Sequence, residues 1–222
     1  MSRPGFYGKL ASRGDFVSRD LPADFIQPWD SWLAAGLHSS HRELGDQWLE
    51  AYLISPLWRF LLAPGLCGRE AVAGVIMPSV DRVGRYFPLT VAQPVERHTD
   101  LASLVAGPQG WFEAVEQALL DTLQAEADVE QFVQALDRVP PLAGQPEPLI
   151  EDAGELRRSA AATPQDRQAA LARWACADAS LWWGCGSERV AAGLVRCQGM
   201  PSEQVFTQFL QARLAAPQRG TP

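Results

Sequence analysis

Between Pro56 and Val95 the chain carries three short runs, "PLWRFLLAPG", "EAVAGVIMPSV" and "RYFPLTVAQPV". Each is rich in aromatic and branched residues, and each is bounded by Pro or Gly. No helical pattern lies between them to make a parallel crossover, so the spacing predicts an antiparallel meander of three strands. The runs are almost wholly apolar rather than alternating. A strand that shows water neither face reads this way, so both faces of the sheet are expected to be covered. The fold class that follows is α/β: a single domain with a central, largely antiparallel sheet covered by helices.

The flanking segments supply the cover. In "PADFIQPWDSWLAAGLHSSHRELGD", Phe25, Trp29, Trp32, Leu33 and Leu37 recur at spacings of three and four, an amphipathic helical face. Pro28 divides it, with Asp24 and Asp30 as candidate caps on either side. Gly45 marks a break before a short helix in "DQWLEAYL". From Thr99 the pattern turns helical again, with Trp111, Val115, Leu119 and Leu123 on one face, then Phe132, Val133 and Leu136 on another. Glu113, Glu116, Asp121 and Glu126 lie off that face and read as a solvated flank. "DRQAALARWAC" predicts a helix, "ASLWWGCG" and "RVAAGLVRCQ" two strands, and "PSEQVFTQFLQARL" a closing helix. Two strands and two helices bury little alone, so they are expected to complete the first sheet. One domain therefore spans residues 1–222. Residues 139–165, Pro/Ala-rich, read as an exposed loop or linker, and 216–222 as a frayed end. At the start, "GFYGKLASRGDFVSR" predicts two strands joined through a turn at Arg13-Gly14.

Charge narrows the function classes. The net charge is −7, and Lys9 is the only lysine. An acidic chain without a basic run is a poor match for nucleic acid, where affinity rests on phosphate neutralisation. No apolar segment reaches the roughly 18–20 residues that span a bilayer, and the N-terminus lacks a signal-peptide pattern, so a cytoplasmic protein is expected. Cys67, Cys176, Cys185 and Cys197 are irregularly spaced with no nearby histidine; they read as buried free thiols rather than metal ligands. His38 and His41, three apart beside Glu43, read as surface histidines at a helix end. No cofactor is expected. "GKLASRGDF" holds phosphate-loop residue types at the wrong spacing, so nucleotide binding is set aside.

The passage "MPSVDRVGRYFPLT", 77–90, places Asp81, Arg82 and Arg85 among apolar neighbours. Three readings are open. Asp–Arg pairing can tie a turn between two strands. The guanidinium forks can face a partner's carboxylate or phosphate. Asp81 can act as a general base with Ser79 or a cysteine in a small hydrolase, which requires a second titrating group. Among the tryptophans, Trp29, Trp32, Trp48 and Trp58 fall on core faces. Trp182 and Trp183 are adjacent and point to opposite faces of a strand.

Taken together, "GFYGKLASRGDFVSRDLP", "WDSWL" and "MPSVDRVGRYFPLT" closely resemble the TagF family associated with bacterial type VI secretion. "DASLWWG" and "GMPSEQVFTQFL" resemble that family's C-terminal pattern. Position 11 is alanine where the family often has proline. The resemblance implies an α/β sandwich and a cytoplasmic accessory protein that represses assembly or firing of the apparatus after translation. It further implies action by binding, notably to the system's forkhead-associated scaffold protein, and no catalytic role. Lys9, Arg13, Asp15, Ser79, Asp81, Arg82 and Arg85 are the candidate residues, as a partner-binding surface or its supports. A structural subunit of the apparatus is the remaining alternative.

Overall fold

The structure is a computed structural model of the chain and describes residues 3–107, 109–124, 127–148, 150–153 and 156–211. Its centre is a seven-stranded sheet in the order β2-β1-β5-β4-β3-β8-β9. β1 is Gly5–Gly8, β2 Val17–Arg19, β3 Trp58–Leu62, β4 Val72–Met77, β5 Leu89–Pro94, β8 Ala179–Gly184 and β9 Gly193–Gln198. Every pairing is antiparallel. The meander expected from the three apolar runs is β3-β4-β5. The C-terminal strands join it through β8 on β3, as their small buried area demanded.

The strands face two apolar layers, so the domain has three. Helix α1 (Ala23–Leu44), the short α2 (Trp48–Leu53) and the one-turn α7 (Thr207–Leu210) cover one face. There Phe25, Trp29, Leu33, Trp48 and Tyr52 pack on Phe60, Val72, Ile76 and Trp182. Helices α3 (Leu101–Ala106), α4 (Gly110–Asp121), α5 (Val129–Leu136) and α6 (Pro164–Cys176) lie on the other. Trp111, Phe112, Val115, Leu119 and Phe132 close over Phe6, Leu61, Val75, Val91 and Leu181. Neighbouring residues of β4 enter opposite layers, Val75 one and Ile76 the other. Two covered faces admit a polar residue only where it finds a buried partner, and so the strands do not alternate.

Several expectations are corrected. Pro28 sits inside α1 without dividing it, and the helix starts directly after Pro22 with no side-chain cap, so neither Asp24 nor Asp30 caps it. Proline so near the N-terminus disturbs only the first turns, and Phe25 and Trp29 on either side of it are fully buried. Leu123 lies beyond the end of α4 and is 60% exposed, not core. Residues 139–165 are not a featureless linker. They hold a hairpin of β6 (Ile150–Ala153) and β7 (Leu156–Ser159). Ahead of it, Asp100 N donates to Gln145 O (2.7 Å) and Glu147 N to His98 O (2.6 Å), tying the segment to the start of α3. The expected closing helix over 201–214 is not continuous within the described residues, which end at 211: a 3-10 turn at Glu203–Val205 precedes the single turn of α7. The expected frayed end, 216–222, and Glu126 fall outside them.

Cys67 and Cys176 are buried free thiols, whereas Cys185 is exposed and Cys197 half-buried. Burial pushes Cys67 up to about 12 and Cys176 up to about 11, so both stay protonated. Trp182 is buried against Trp29, Trp32 and Phe60, while Trp183 turns to the other face and meets Phe112 edge-on at 5.0 Å.

Gly36, on the buried face of α1, lets Phe206 lie against the helix backbone. A Cβ there would overlap the ring. Alanine in an exposed helix gains about 1 kcal/mol over glycine. Gly36→Ala is expected instead to destabilise the domain by about 1–3 kcal/mol, read as a lowered urea midpoint. A stabilised variant would show that α7 yields freely.

Candidate functional site: a buried carboxylate clamp

The residues singled out at 9–15 and 79–85 come together at one end of the sheet. Lys9 follows β1, and Asp81 opens the turn between β4 and β5. Lys9 Nζ lies 2.6 Å from Asp81 Oδ2, with the two side chains 6% and 0% exposed. Gly8 makes this approach possible. Its φ is +142°, and a Cβ there would collide with the Pro88 carbonyl of the neighbouring strand end.

Asp81 is saturated. Oδ1 accepts from Val83 N (3.0 Å) and Arg85 N (2.9 Å), and Oδ2 accepts from Lys9 Nζ and from Arg85 Nε (2.7 Å). Desolvation alone would raise its pKa. The bonds from Lys9, Arg85 and Val83 outweigh that and hold the carboxyl well below the usual carboxylate range. Backbone bonds close the same turn: Asp81 N to Arg85 O (3.0 Å), Gly84 N to Asp81 O (3.0 Å) and Phe87 N to Ser79 O (3.1 Å). The carboxylate thus organises a rigid loop from within. The ammonium also sits 4.5 Å from the centre of the Phe16 ring, a cation–π contact.

Ser79 belongs to the same scaffold. Its Oγ donates to Lys9 O (2.8 Å), and the Tyr52 hydroxyl both donates to Ser79 O (2.8 Å) and accepts from Ser79 N (2.9 Å). Burial pushes the Tyr52 hydroxyl's pKa upward. Arg82 N donates to Arg13 O (2.9 Å), docking the 9–16 loop on the turn. Arg85 also donates from its guanidinium to Gly14 O.

Beyond these anchors the side chains diverge. Arg82 and Asp15 are exposed and have no side-chain partner among the described residues. Arg13 reaches Glu130 only loosely, at 3.7 Å, both ends exposed. Val83 is 65% exposed, and Phe16 and Tyr86 are partly exposed as well. Chemically the cluster has a buried half (Lys9, Ser79, Asp81 and Tyr52) and a presented half (Arg13, Asp15, Arg82 and Val83), with Arg85 bridging them. A general base needs a free lone pair and a pKa nearer neutrality. Asp81 has neither, and the Ser79 hydroxyl is spent on a main-chain carbonyl, so the hydrolase expectation built on this pair finds no support in the geometry.

A second buried pair was not anticipated. Arg59, on the interior strand β3, binds Glu116 of α4 through Nε and Nη2, both at 2.7 Å, and Gln109 Oε1 through Nη1 at 3.0 Å. Glu116 is therefore not part of a solvated flank. The signal was the arginine in "PLWRFLL": in a strand covered on both faces, a cation must find a counterion. Among the described residues no group of three or more His, Cys, Asp or Glu side chains is placed to hold a metal. His38 and His41 lie exposed, with His41 packed 5.1 Å from Trp48. No helix of the described residues is long and apolar enough to cross a membrane.

Comparison with known proteins agrees with the resemblance in the motifs. The crystal structure of PA0076 from Pseudomonas aeruginosa PAO1 is 55% identical over 99% of this chain and 100% of that one, with a TM-score of 0.89. A comparison with curated proteins finds no match. The model of the TagF N-terminal domain, type VI secretion system-associated, matches residues 5–139, which contain the whole clamp; the chain belongs to the TagF family.

Proposed function

We propose that the chain is a cytoplasmic accessory protein of the type VI secretion system that restrains its assembly or firing after translation. It does so by binding, with the forkhead-associated scaffold protein as its partner. The observation that carries this reading is the division of labour in the clamp. A fully buried, saturated aspartate fixes a short loop whose Arg82 and Val83 are left exposed on a protein of net charge −7. Rigid presentation lowers the ordering cost of binding. The arrangement suits recognition better than proton transfer.

Titration calorimetry of this chain against the forkhead-associated scaffold of the same system tests it. Micromolar or tighter binding, about −8 kcal/mol or better, is expected. Arg82→Glu should weaken it at least about tenfold while the thermal midpoint stays within a few degrees, because Arg82 contributes only its backbone N–H to the fold. Arg85 is a poorer probe, since its Nε holds Asp81. A flat titration with both proteins folded would sink the scaffold mechanism. Stoichiometric recovery of the chain in assembled, firing complexes would favour a structural subunit instead.

A further inference from the structure

Beside the clamp runs an apolar groove of about 260 Å³, bounded by α2, the strand end at 77–80 and the end of α4. Leu53, Leu120 and Leu123 stand in it 53%, 41% and 60% exposed, with Leu57 and Met77 beneath them. Three exposed leucines converging on one concavity differ from apolar residues scattered singly, and mark an interaction surface. Its far wall is Ala11 and Val80. Two residues beyond each stand Arg13 and Arg82, whose segments are joined by the Arg82 N to Arg13 O bond. The groove therefore leads from leucines toward a joined pair of loops that carry two exposed guanidinium groups, Arg82 without an acidic partner among the described residues and Arg13 held only loosely by Glu130, against one exposed carboxylate, Asp15. The acid next to Leu120, Asp121, accepts a hydrogen bond from Gln117 Nε2 (2.7 Å) on its own helix, and Glu50 of α2 is paired with Arg189 (2.6 Å).

We propose that this groove takes an amphipathic, acid-bearing segment of a partner protein. The segment's apolar residues enter among Leu53, Leu120 and Leu123, and its carboxylates meet Arg82 and Arg13. The inference rests on the binding role proposed above and names the chemistry of what binds. Charge complementarity selects the occupant. On an acidic protein, the basic loop pair repels a second basic surface and attracts carboxylates, while the leucines demand apolar side chains on the same segment. A helix with apolar residues at spacings of three and four and glutamates flanking them meets both demands.

The test uses the full chain with methyl-labelled leucine and two synthetic helices of about 18 residues, about five turns. The two share one leucine pattern; one carries glutamate at the flanking positions and the other lysine. The glutamate peptide is expected to shift the methyl signals of Leu53, Leu120 and Leu123 and to bind at least about tenfold more tightly than the lysine peptide. Leu123→Asp, on a side chain already 60% exposed, should abolish the shifts while leaving the fold intact. The double variant Arg13→Glu/Arg82→Glu should reverse the peptide preference. Unmoved leucine methyls, or equal binding of both peptides, would overturn the groove. A failed scaffold titration with the methyl shifts present removes only the partner named above. Scaffold binding with no methyl shift removes only the groove.

Discussion

Arg59→Met is expected to cost about 3–5 kcal/mol of folding stability. The guanidinium is held by both oxygens of Glu116, with the two side chains 11% and 19% exposed, and it lies 5.6 Å from the Phe112 ring centre. Its pKa is raised, chiefly by the Glu116 bond, so the guanidinium stays charged. Removing one member leaves the other charge half-enclosed between β3 and α4, without its partner and short of water. Replacing both, as in Arg59→Met/Glu116→Leu, removes the desolvation cost together with the attraction and should recover most of the loss. Urea denaturation, with the midpoint and slope fitted separately, is the measurement. A single variant within about 0.5 kcal/mol of the parent would show that water reaches the pair. That is the range of ordinary surface substitutions.

Asp81→Asn should have the largest effect on function. The substitution keeps the shape but strands the Lys9 ammonium, 6% exposed, against a neutral amide. It also weakens the bonds that shape the 81–85 turn. Scaffold affinity should fall at least about tenfold, and thermal stability should fall with it, unlike Arg82→Glu, which separates the two. The pH dependence follows from the depressed pKa. A carboxyl whose folded pKa lies below its unfolded value of about 3.9 gives its full stabilisation above that value and loses it as pH falls toward the folded pKa. Between pH 7 and 5 the clamp should therefore contribute a constant amount, with acid destabilisation beginning only below about pH 4. The asparagine variant should lack that acid limb. An unfolding midpoint for the parent that drifts between pH 7 and 5 in parallel with Asp81 protonation would contradict the assignment.

The clamp also accounts for the placing of the one lysine. An arginine at position 9 would bring a planar fork to a site that Arg85 Nε and two main-chain N–H groups already crowd. A compact ammonium takes the remaining approach to Oδ2. The Gly8 backbone, inaccessible to a residue with Cβ at this contact, delivers it there.

Much of the fold was legible along the chain. The largely apolar runs at 58–62, 72–77 and 89–94 declared strands covered on both faces, and the three- and four-residue spacing from Phe25 to Leu37 declared the helix over them. The charged turn at 81–85 and the motifs of the family were legible too. These are local signals, carried by residues close enough in the chain for period and turn chemistry to register. The tertiary structure alone decided the rest. Lys9 and Asp81 meet across 72 positions, and Arg59 and Glu116 across 57. The leucine groove is assembled from four segments distant in sequence, and Pro28 stays inside α1 while its neighbours bury their rings. A charge or a leucine carries the demand for a partner in its own chemistry. Which partner answers is set only when strands align and helices pack, because pairing and burial are properties of distance in space and not of spacing along the chain.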